Sequence, residues 1–161
     1  MARILLTVLG LIALGQGAAA AAEGVAMNNA RLDQLIRQLD GIEGEIEGGT
    51  GAWRFRYKGR LVFVFTDERA DRMRIMAPVA PSDTLRKDRL FRLLQANFAS
   101  AMDARYAIAS ETLWSLYLHE LSPLTVDQFH SGFLQVVTLA ATFGTDYSSG
   151  ALRFGGSDDP V

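Results

Sequence analysis

The chain has 161 residues, 49% of them apolar, no cysteine, and a formal net charge of −2. That length and apolar content suit one domain with its own core, needing neither metal nor disulfide to fold. The near-balanced charge argues against nucleic-acid binding by the whole surface, and the missing thiols exclude disulfides, thiol catalysis and a lipid-modified cysteine.

In chain order, Met1-Ala2-Arg3 places one positive charge before an apolar run from Ile4 to Leu14, followed by small residues through Ala22. This is the pattern of a cleavable export signal (residues 1–22), cut after Ala20 or Ala22, and its apolar core is too short for a membrane anchor. A periplasmic or secreted location follows, and no later segment is long and apolar enough to span a bilayer.

Residues 29–144 read as a single domain. From Asn29 to Asp40, Leu32, Leu35, Ile36 and Leu39 recur at helical spacing, and Gly41 is a natural stop. The glycine-rich passage Gly44 to Gly51 reads as a turn or loop. Trp53, Phe55 and Tyr57 alternate with Arg54, Arg56 and Lys58, the period of a half-buried strand. Lys58-Gly59-Arg60 turns into the apolar strand Leu61 to Phe65; Asp71 to Ala77 is a third strand, and Pro78 and Pro81 close the meander.

Ser82 or Asp83 caps a helix reaching Met102, with Leu90, Phe91, Leu94, Phe98 and Met102 as its apolar stripe. Strands follow at Tyr106 to Ser110 and Leu113 to Leu118. Thr125 with Gln128 forms a capping box for a last helix whose inner face is Phe129, Phe133, Val136, Val137 and Ala140, ending at Gly144. Residues 145–161, rich in Gly, Ser and Asp, read as a disordered tail. The order α-β-β-β-α-β-β-α with short connections gives an α+β fold: an antiparallel five-stranded sheet with helices packed on it.

With the segment Leu93-Leu94-Gln95-Ala96-Asn97-Phe98, the strand pair Tyr106-Ala107-Ile108 and Leu113-Trp114-Ser115-Leu116, and the helix opening Leu124-Thr125, that order resembles the type III secretion chaperone-like fold. The group includes the Tir chaperone family and the YbjN-type family of sensory-transduction regulators. The resemblance implies a non-enzymatic homodimer that binds an extended segment of a partner protein. Those chaperones are cytoplasmic, so the export signal points to a periplasmic relative with a different client.

No catalytic constellation stands out. His119 and His130 lack the spacing of a zinc-protease helix and read as solvated or capping residues; no Gly-x-Ser-x-Gly elbow occurs. Asp67, Glu68 and Asp71 lack the pattern of a calcium loop, and the glycines of residues 41–51 lack the phosphate-loop lysine. No metal and no cofactor is therefore expected.

Two features suggest contact with partners. Arg54 and Arg56 share one strand face and Arg72 and Arg74 another, so four guanidinium groups could gather to hold an acidic client segment or lipid headgroups. The plainer alternative is a solvent-facing sheet surface neutralised by Asp67, Glu68 and Asp71. Trp114, Leu116 and Leu118 alternate with Ser115, Tyr117 and His119, leaving two apolar faces on one strand. Such a strand is either central or an oligomer contact, which makes Trp114, Leu116, Tyr117 and Leu118 candidate dimer or apolar-contact residues. A different class of function, a small ligand-binding or sensory module of the envelope, would need a pocket lined by Trp53, Phe55 or Trp114 and edged by arginine.

Overall fold

The computed structural model describes residues 25–154; the expected export signal (1–22) and the end of the expected tail (155–161) lie outside the described residues. Helix α1 (Asn29–Arg37) is capped by the Asn28 side chain, which accepts from Arg31 N, and it buries Leu32 and Ile36. Strands β1 (Ile42–Gly49), β2 (Ala52–Tyr57), β3 (Arg60–Asp67) and β4 (Arg72–Pro81) form an antiparallel meander. A single 3-10 turn (Ser82–Thr84) leads to helix α2 (Lys87–Ala99), then to the hairpin β5 (Arg105–Ala109) and β6 (Thr112–Glu120), and to helix α3 (Val126–Ala141). The sheet has six strands, not five, in the order β1-β2-β3-β4-β6-β5.

The sixth strand is β1, the stretch expected to be a glycine-rich loop. Ile42 and Ile46 are half-buried while Glu43, Glu45 and Glu47 are exposed, and the irregular register between Glu43 and Glu47 absorbs Gly44. Gly48 is required: a Cβ there would stand 2.2 Å from the Ala52 carbonyl oxygen. A bulged edge carrying three glutamates discourages pairing with another chain.

All three helices serve one face of the sheet. Trp53, Phe55, Tyr57, Val62, Val64, Met73, Ile75, Ala77, Leu113, Ser115 and Tyr117 turn toward them and are buried. Helix α3 crosses β4 and β6. Its Thr125–Gln128 capping box is fully formed, and all five expected inner residues are buried. Phe133 packs edge-on to Tyr57 at 4.8 Å and beside Phe55 at 6.1 Å. Ser115 is tolerated in the core because its hydroxyl donates to Val136 O at 2.9 Å. Gly132 lies under the Tyr117 ring, where a Cβ would approach Cδ1 and Cε1 to 2.6 Å. Gly132→Ala is therefore expected to lose about 1–3 kcal/mol to overpacking, more than the ~1 kcal/mol gained in helix propensity, lowering the urea midpoint.

Three further expectations change. Strand β4 continues past Pro78 to Pro81, the register shift between Pro78 and Ala80 accommodating the missing donor. Helix α2 is shorter than expected and rotated. It buries Leu93 with Ala96 and Ala99, the two alanines allowing close approach to the fold, and leaves Phe91, Leu94 and Phe98 in solvent. The described part of the tail, 145–154, is not disordered. Tyr147, Ser148 and Ser149 are buried, Ser149 N donates to Ser100 O at 3.1 Å, and Phe154 N donates to Ala99 O at 2.7 Å. Serine and backbone N–H groups thus satisfy carbonyls left open at the end of α2.

Candidate functional site

None of the described residues covers the sheet face opposite the helices. Strand register lays its residues out in rows: Arg54, Phe63, Met76, Leu116 and Arg105 cross five strands, with Ala52, Phe65, Arg74 and Leu118 on one side. On the other side lie Arg56 and Leu61, and across the sheet Pro78, Trp114 and Ala107. Phe63 stacks on Phe65 at 6.1 Å and meets Trp114 edge-on at 5.9 Å, while Trp114 Nε1 donates to Ala109 O at 3.1 Å. Phe65 is 42% exposed and Leu118 51%. Phe63, Met76, Trp114 and Leu116 between them are half-buried, so the aromatic and aliphatic island meets water over part of its surface, with its one polar ring atom already satisfied.

The four arginines named from the sequence, Arg54, Arg56, Arg72 and Arg74, all lie on this face, and Arg105, which the sequence reading did not single out, joins them. They rim the apolar island rather than forming one cluster, because β3 separates β2 from β4. The turn acids expected to neutralise them are otherwise engaged. Asp67 accepts from Arg69 N and Ala70 N, Glu68 accepts from Asn29 N, and Asp71 accepts from Ser122 N and Oγ at 2.7 and 2.8 Å. The Ser122 hydrogen bonds hold the Asp71 carboxyl below its ordinary pKa. Instead Arg54 pairs with Glu47 at 3.0 Å and Arg72 with Glu120 at 3.4 Å. Arg56 donates only to Gly59 O, at 3.4 Å, and Arg74, between exposed Phe65 and Leu118, has no ion pair among the described residues.

The four apolar residues read on β6 divide between the two faces. Trp114, Leu116 and Leu118 belong to the uncovered face, but Tyr117 turns inward beneath α3 and is buried, so it is no part of that face. The strand looks two-sided in sequence because one face is core and the other is bare. The pocket imagined for a small ligand is not assembled: Trp53 and Phe55 are buried in the core, and Trp114 stands on the opposite side of the sheet.

A second exposed apolar surface surrounds α2. Phe91, Leu94 and Phe98 share a helical face at 59%, 65% and 80% exposure. Ile108 lies two residues along β5 from Tyr106, whose backbone N–H and C=O are bonded by the Asn97 side chain of α2 at 2.7 and 3.1 Å. Leu152 and Phe154 arrive where Phe154 N bonds Ala99 O. Six of the large exposed apolar side chains among the described residues thus belong to α2, to the strand its Asn97 bonds, and to the segment that meets its end at Ala99. Helical spacing singled the stripe out, but larger side chains are not always the buried ones when alanines occupy the adjacent face.

No protein-family model matches the chain, and no curated protein matches it, so neither the Tir chaperone family nor the YbjN-type family is shown. Among solved structures, a chain in the crystal structure of the ExsC-ExsE complex is similar with a TM-score of 0.49 and 14% identity, over 70% of this chain and 90% of that one. At that level of overlap the likeness assigns the protein neither a family nor an activity.

Proposed function

We propose that this is an exported, non-enzymatic protein-binding module, chaperone- or adaptor-like, whose bare sheet face holds an extended segment of a partner protein. One observation carries this reading: the island of Phe63, Phe65, Met76, Trp114, Leu116 and Leu118, with Phe65 and Leu118 exposed and the other four half-buried, has no helix over it among the described residues. It lies inside a rim of arginines, of which Arg56 and Arg74 have no acidic partner among those residues. An apolar segment bearing acidic side chains would cover the first and neutralise the second.

The test is a peptide array of envelope-protein sequences probed with the purified protein. Phe65→Asp and Leu118→Asp alter exposed positions, so melting should stay near wild type while affinity for captured peptides falls about 30-fold, the loss of a contact worth ~2 kcal/mol. Unchanged peptide binding in both variants would refute the assignment of this face.

The protein also forms a homodimer in this reading, through the α2 surface rather than the β6 residues. At roughly 150–250 Å² per large side chain, the six residues around α2 expose on the order of 700 Å². That is more than the 300–600 Å² patch of a typical monomer and close to the ~800 Å² each partner contributes to a stable interface.

A further inference from the structure

Strand β6 runs to Glu120, but β5 ends its pairing at Arg105↔Leu116, so residues 117–120 have no neighbouring strand on that side. On the other side β4 pairs with β6 as far as Arg72↔Glu120. Beside the gap is an open cavity of about 390 Å³ lined by Asp103, Arg105, Tyr117, Leu118, His119, Gln128 and Ser131. Its walls are fixed. Gln135 accepts from Asp103 N and Ala104 N at 2.8 and 3.1 Å, and its Nε2 donates to Asp103 Oδ2 and Ser131 Oγ at 3.2 and 3.1 Å. Arg105 is held by the carbonyls of Met102 and Ala104 and has no acidic partner among the described residues. Tyr117 keeps its proton, burial and the nearby Asp103 carboxylate raising its pKa, so it can act as a donor. His119 stacks on Tyr117 at 6.0 Å, with Nδ1 donating to Glu120 O at 2.7 Å.

We propose that this notch accepts a short extended, acidic segment of the partner protein as an added strand beside residues 117–120, in line with β5. The other routes to strand addition are obstructed: β1 is bulged and acidic, and Asn97 occupies the β5 backbone at Tyr106. Four residues of β6 span about 13 Å, room for a segment of similar length. Main-chain bonds would hold it, an acidic side chain would meet Arg105, and side chains of the other parity would lie against the Tyr117 and His119 rings. The inference rests on the protein-binding reading above and gives that client both a charge and a point of backbone attachment.

The test uses an acetylated peptide of alternating valine and aspartate, with binding followed by fluorescence anisotropy. Arg105→Gln is expected to weaken binding about tenfold, and N-methylation of every second peptide residue to abolish it, since that removes backbone donors while leaving the protein untouched. Ser131→Trp, with folding checked by thermal melting, should fill the notch and also prevent binding. A peptide that binds but is indifferent to N-methylation and to Arg105→Gln, yet is lost in Phe65→Asp, a face position outside the notch, would overturn the notch while leaving the bare-face reading intact. No binding by the peptide to wild type would overturn the notch; unchanged array binding by the face variants would separately remove the broader reading.

Discussion

Phe133→Ala is expected to destabilise the protein by about 3–5 kcal/mol, seen as a large fall in the urea midpoint with little change in slope. Phe133 is 1% exposed and is where α3 meets the sheet, touching Tyr57 edge-on at 4.8 Å, Phe55 at 6.1 Å and Phe129 at 6.3 Å. Truncation removes the transfer energy of the ring and leaves a cavity whose walls cannot easily close. Strand pairing fixes Phe55 and Tyr57 from below, and the helix fixes the residue from above. The edge-on pair with Tyr57 should add a coupling of about 0.5–1.5 kcal/mol in a double-mutant cycle with Tyr57→Ala. A stability loss below about 1 kcal/mol would mean that α3 does not organise the core as described.

The second large effect concerns self-association. Wild-type protein is expected to sediment as a dimer at micromolar concentration, and Leu94→Asp combined with Phe98→Asp to weaken the dimer at least about 100-fold, leaving monomer. Both side chains are exposed, at 65% and 80%, so the melting temperature of the monomer should change little except through the lost association. Two carboxylates in the middle of an apolar contact would be buried without partners, which is why the penalty should be large. A wild-type monomer, or a dimer indifferent to these substitutions, would remove α2 as the contact.

Much of the fold was legible because its signals are local. The alternation of Trp53, Phe55 and Tyr57 with Arg54, Arg56 and Lys58 placed a half-buried strand with its arginines outward, and Thr125 with Gln128 marked the start of α3. The misread parts depend on tertiary context. The Gly44–Gly51 stretch forms an edge strand because β2 supplies its hydrogen bonds, which glycine content conceals. Helix α2 faces the core with Ala96 and Ala99 because backbone approach, not side-chain size, decided its orientation. Residues 147–149 are ordered by hydrogen bonds to Ser100 and Ala101, far away in sequence. Strand parity showed that Arg54 and Arg56 share a face and Arg72 and Arg74 another, but not that β3 holds the two pairs apart or that Arg105 joins them. The bare island was only half readable: β6 showed an excess of apolar residues, but which of them lacked cover depended on all three helices settling on the other face.

The most direct test of the partner-binding account is site-specific photo-crosslinking in intact cells, with the reactive side chain placed in turn at Leu118, Phe98 and His130. All three positions are exposed, and they lie on the bare sheet face, the α2 surface and the outer side of α3. The account predicts a crosslink from position 118 to a short segment of one other protein, from position 98 to a second copy of this chain, and none from position 130. A foreign protein captured equally from 130, or only self-crosslinks from 118, would contradict it.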